Sequence, residues 1–85
     1  MELFIAKRAL KALNRMQPRL RDAIEVELKR IALDPLGPHR NVKPMAGFKD
    51  AFRLRHGSWR ILYVLDRPSQ TMRVEWVKPR GDAYR

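Results

Sequence analysis

The sequence predicts an α+β domain: two N-terminal antiparallel helices packed on one face of a small, mostly antiparallel twisted sheet of three to four strands. Three observations lead there. Apolar residues recur at helical spacing over the first third of the chain. Strict alternation of apolar and basic residues begins at residue 51. The helical and extended stretches are segregated rather than interleaved, which favours α+β over a parallel α/β arrangement. With 85 residues and 10.1 kDa, residues 1–85 make one domain. A chain this short buries only about 60% of its unfolded surface, so a partner that binds the folded state would add to its stability.

The elements follow in order. Glu2–Ile5 fits a short strand. From Ala6 the period changes, and Ala6, Ala9, Leu10, Leu13 and Met16 fall on one helical face with Lys7, Arg8, Lys11 and Arg15 on the other. This helix ends near Gln17. Pro18 suits the first position of a second helix, where its missing N–H is no loss. Leu20, Ile24, Leu28 and Ile31 form that helix's apolar stripe, widened by Ala23 and Ala32. Asp34-Pro35 stops it, because the residue before a proline avoids the helical region. Residues 35–50 carry Pro35, Gly37, Pro38, Pro44 and Gly47 and read as a connection, with room for a short strand at residues 41–45. Ala51–His56 alternates, with Phe52 and Leu54 on one face and Arg53 and Arg55 on the other. His56-Gly57-Ser58 is a turn, and Trp59–Asp66 is rich in strand formers. Arg67-Pro68-Ser69 turns again into a third strand at residues 71–78, ended by Pro79. The tail, residues 80–85, follows.

Charge narrows the function classes. The chain has 19 Lys and Arg against 9 Asp and Glu, a formal net charge of +10. Residues 1–34 hold eight basic and five acidic side chains, net +3; residues 35–85 hold eleven and four, net +7. The excess lies in the strand-rich part. Such a balance fits a polyanion, an anionic membrane surface or an acidic protein. The absence of cysteine excludes a disulfide scaffold, a zinc ribbon and a thiol nucleophile. The first residues are charged too early for a secretory signal, and no apolar run approaches the roughly 20 residues of a membrane helix. The expectation is a soluble cytoplasmic protein with no membrane partner.

Strand alternation points Arg53 and Arg55 to one face, about 7 Å apart along the strand. The short turn brings Arg60 opposite them. Arg80 follows the third strand, and Tyr84 comes four residues later. Together they make a cluster of four guanidinium groups and a phenol over an exposed sheet face. Arginine matches phosphate bidentately, and a phosphate chain would supply the counter-charge that four neighbouring cations lack. Each arginine taken singly also fits a solvated strand face. Trp59, Tyr63 and Phe52 read as core or rim; the poor alternation of Val74-Glu75-Trp76-Val77-Lys78 leaves Trp76 unassigned. His39 and His56 have no metal-ligand spacing with any acid, and there is no glycine-rich phosphate loop or nucleophile elbow. No metal and no cofactor is expected.

The order helix–helix–meander resembles the RelE/ParE superfamily of bacterial type II toxin–antitoxin systems. The resemblance spans nearly the whole chain. It is strongest in Phe52-Arg53-Leu54-Arg55-His56-Gly57-Ser58-Trp59-Arg60-Ile61-Leu62-Tyr63 and continues in Val77-Lys78-Pro79-Arg80-Gly81-Asp82-Ala83-Tyr84-Arg85. It implies a cytoplasmic toxin held in a hetero-oligomer by an acidic antitoxin. In the RelE-like branch, it implies a ribosome-dependent mRNA endoribonuclease that inhibits translation without a metal. The ribose 2′-OH attacks the adjacent phosphate, leaving a 2′,3′-cyclic phosphate and a 5′-hydroxyl. Carried over by motif, the catalytic set falls on Arg53, Arg55, Arg60, Arg80 and Tyr84. Three positions depart from the pattern, in two ways: lysine is frequent where Arg53 and Arg55 stand, and histidine where Pro79 stands. Since arginine is a poor proton acceptor, the general base is unassigned. The alternatives are a ParE-like poison of DNA gyrase on the same fold, or a non-enzymatic module that binds nucleic acid or its antitoxin.

Overall fold

The computed structural model describes residues 1–79. The elements run β1 (Glu2–Ile5), α1 (Lys7–Asn14), α2 (Pro18–Leu33), β2 (Val42–Pro44), β3 (Ala51–His56), β4 (Trp59–Asp66) and β5 (Thr71–Pro79). The α+β class and both helices are as the sequence predicts. The sheet is larger than three to four strands. It has five, in the order β1-β5-β4-β3-β2, and β1 pairs in parallel with β5. Both short segments, β1 and β2, join the sheet as edge strands. β1 crosses back through the helices to reach β5, a long-range pairing that no local pattern announces.

The helices and the inner sheet face share one core. Ala9, Leu13, Ile24, Leu28 and Ile31 from the helices meet Leu54, Ile61, Tyr63, Met72, Val74 and Val77 from the strands. α1 lies chiefly against β5, and α2 reaches β1. Pro18 occupies the start of α2 as expected. The apolar stripes are narrower than the sequence predicts, since Leu10 and Ala23 are exposed. α1 stops at Asn14, short of Gln17, whereas α2 runs from Pro18 to Leu33 as predicted.

The β3–β4 hairpin is tight. His56 pairs with Trp59, leaving a two-residue loop in which Gly57 has φ +58°. Positive φ at the first loop position is the geometry that favours glycine and suits the strand twist. Pro79 is part of β5 rather than its stop and pairs with Trp59. β1 extends only to Val74 on the other side, so the missing N–H of Pro79 breaks no ladder there.

A β-bulge interrupts the β4–β5 pairing. Leu62 pairs with Trp76 and Tyr63 with Val74, so Glu75 is the extra residue. Its carboxylate is held by Arg73 at 2.8 Å and Arg8 at 3.1 Å. The bulge shifts the phase of β5. Met72 and Val74 face the helices, yet Val77 also does. Trp76 and Lys78 are thereby turned to the outer face.

Candidate nucleic-acid interface

The outer face of the sheet carries the basic residues in two cross-strand rows. In one, Arg55 pairs with Arg60 and Arg60 with Lys78. In the next, Lys43 pairs with Arg53, Arg53 with Leu62, and Leu62 with Trp76. Directly paired residues and their i±2 neighbours share a face, so these seven form one surface opposite the helices. The expected convergence of Arg53, Arg55 and Arg60 is present. Lys43, Arg53, Arg55 and Arg60, with Asn41, line a shallow pocket of about 100 Å³. Asn41 takes a left-handed φ of +66°, and its carbonyl accepts from Arg55 N at 2.9 Å, fastening the chain before β2 to β3.

The three arginines are not equivalent. Arg55 is exposed and Arg53 half-buried, whereas Arg60 is only 9% exposed. β4 is the middle strand of the sheet, and its neighbours on both sides cover the stem of Arg60. A guanidinium so placed loses little rotamer freedom on meeting an anion.

Two contacts fasten β3 at its ends. At the start, the Arg67 guanidinium donates to both carboxylate oxygens of Asp50, at 2.8 and 3.0 Å. That pairing holds the Asp50 carboxyl below its ordinary range and raises Arg67. At the end, His56 Nδ1 lies 2.8 Å from Glu27 Oε2 on α2. His56 therefore sits on the helix side of the sheet with Leu54, away from the arginines, as its alternation predicts.

Lys43, Lys78 and Trp76 join this face without having been singled out in the sequence. Lys43 was hidden in a three-residue strand inside a proline-rich stretch. Trp76 and Lys78 were hidden by the bulge. The break in alternation at Trp76-Val77, two apolar residues in succession after Arg73-Val74-Glu75, was the available signal. Arg80 and Tyr84 lie outside the described residues. Among the described residues no three histidine, aspartate or glutamate side chains gather as metal ligands would, and no helix is long and apolar enough to cross a membrane.

The fold has solved counterparts. The chain is similar to the toxin–antitoxin complex RelBE2 from Mycobacterium tuberculosis, with 25% identity over 93% of this chain and 96% of that one and a TM-score of 0.75. It is similar to the archaeal RelE–RelB complex from Pyrococcus horikoshii, with 22% identity over 94% of each chain and a TM-score of 0.81. The isolated E. coli RelE toxin matches at 20% identity over 98% of this chain and 89% of that one, with a TM-score of 0.80. No family model and no curated sequence matches. The likeness is to the RelE/ParE superfamily, on its RelE-like side.

Proposed function

We propose that this chain is a RelE-like toxin: a ribosome-dependent mRNA endoribonuclease kept inactive by an acidic antitoxin. The carrying observation is the row Arg55–Arg60–Lys78, flanked by Arg53 and Lys43, on the sheet face that the helices leave open. The RelE proteins to which the fold is similar are toxins, solved with RelB partners, which supports a toxin role and an antitoxin partner. A net charge of +10 supports an acidic partner that screens this face and steers association.

The proposed reaction is transesterification. The 2′-oxygen of a ribose bonds to the adjacent phosphorus as the phosphorus–5′-oxygen bond breaks. The 2′-OH gives up one proton, and the leaving 5′-oxygen gains one. Negative charge rises on the non-bridging oxygens in the transition state, where preorganised cations have most effect. Arg60, nearly buried and central, is assigned to that charge, with Arg55 beside it and Arg53 on the neighbouring phosphate. Arg80 and Tyr84, from the family motif, complete the set. Arginine stays protonated, so the row needs another group to move protons. Lys78 closes the row with a further cation beside Arg60.

Induced expression with mapping of mRNA 5′ ends tests this. Cleavage within translated codons is expected, and Arg60→Ala should lower it by about 100-fold or more. Unchanged cleavage in Arg60→Ala would exclude the mechanism. Intact mRNA with DNA held in cleaved gyrase complexes would instead assign the ParE-like activity that the two departures from the RelE pattern allow.

A further inference from the structure

The basic face contains one apolar step. Leu62 and Trp76 pair directly across β4 and β5, both half-buried. Neither belongs to the core cluster or to the side chains packed against it. A tryptophan on the solvent side of a sheet, paired with leucine and ringed by cations, has no packing partner in the core among the described residues to explain it. Its ring is covered instead by the ammonium of Lys78, 5.2 Å from the centroid, and Lys78 is exposed.

We infer that Trp76 is a nucleobase platform: one unpaired base of a single-stranded RNA stacks on its indole, while the flanking phosphates lie along Arg53, Arg55 and Arg60. Three observations converge. The bulge at Glu75 places the indole on the same face as the arginines. The pairing of Trp76 with Leu62, two residues from Arg60 on β4, puts an aromatic surface within one nucleotide's reach of the cationic row. The third is the cover itself. Lys78 holds the ring by an exposed cation–π contact worth about two- to fivefold in an equilibrium constant. A base stacked on an aromatic side chain is worth about five- to 150-fold. A base therefore displaces the ammonium, which is free to turn to a phosphate. Bases within a duplex have their faces hidden, so this site selects single strands. The choice of RNA over DNA rests on the endoribonuclease reading; the stacking itself does not.

The test uses the purified full chain and a six-residue oligoadenylate RNA, without ribosomes, so that it reads binding and not cleavage. The chain has two tryptophans. A Trp59→Phe background, checked for native circular dichroism, leaves Trp76 as the sole indole emitter. Its emission should be quenched on titration. Trp76→Leu keeps an apolar side chain of compatible size and should lose about tenfold in affinity, while Trp76→Phe should retain most of it. The salt dependence of binding should be unchanged in Trp76→Leu and shallower by about one counterion in Arg55→Ala. Equal affinity of Trp76→Leu and the parent, or emission unmoved at saturation, would overturn the platform. Equal quenching and affinity with the corresponding deoxyoligonucleotide would overturn the assignment to RNA. Quenching with RNA but intact mRNA in cells would leave the platform standing and remove the nuclease reading.

Discussion

Among the described residues Tyr63 is the largest fully buried side chain. Its ring stacks on Phe52 at 5.5 Å and 18°, and its hydroxyl has no hydrogen-bond partner among the described residues. Burial pushes the phenol up to about 12 from an ordinary 10.0, since desolvation disfavours the phenolate. The raised value fixes the sign of a pH effect. The unfolded chain releases this proton first, so the contribution is whole below about pH 10 and is lost as pH rises towards 12. Tyr63→Phe should unfold in urea at pH 7 within about 1 kcal/mol of the parent, because it removes a buried hydroxyl that is unsatisfied. It should also show a weaker alkaline loss of stability; an equal loss would assign that effect to another group. Sequence marks Tyr63 as apolar by alternation. Its complete burial, and the near burial of Arg60 on the opposite face of the same strand, come from neighbours contributed by β3 and β5.

At the scale of the element, β3 is the strand whose placement matters most. Its alternation is legible in sequence, and so is the hairpin that sets Arg55 opposite Arg60. The fastenings at its ends are not. Asp50 precedes β3 with φ +58° and is bridged twice by Arg67, 17 residues on. Sequence distance hides such a pair. Asp50→Asn keeps the size and the tolerance for left-handed backbone while removing the charge. The hydrogen bond from Arg67 lowers the Asp50 value below 3.8. The carboxylate's contribution is thus present above about pH 3.8 and lost as pH falls through the lower folded value. Acid titration of stability should show a steeper fall for the parent than for Asp50→Asn in that range. Parallel curves would mean that the exposed pair is screened to insignificance.

For the whole molecule, a net charge of +10 on 85 residues is self-repulsive, most strongly on the open face. Raising NaCl from about 10 to 200 mM should raise the melting midpoint by roughly a few degrees, because the screening length falls from about 30 Å to under about 8 Å over that range and damps the repulsion, and about 1 kcal/mol moves a domain of this size by 4–8 °C. The same salt should weaken RNA binding, so scanning calorimetry and a binding titration should move in opposite senses. A midpoint that falls with salt would show that attractive pairs such as Arg67–Asp50 outweigh the repulsion. The sequence by itself determined the α+β class, the two helices, the β3–β4 hairpin and the shared face of Arg53, Arg55 and Arg60, because each rests on a period or a turn that neighbouring residues set. Only the tertiary structure decided the rest. β1 found β5 from the far end of the chain, where the pairing depends on the helices between. The bulge at Glu75 turned Trp76 and Lys78 outward, because one unpaired residue reverses the side on which every following side chain emerges.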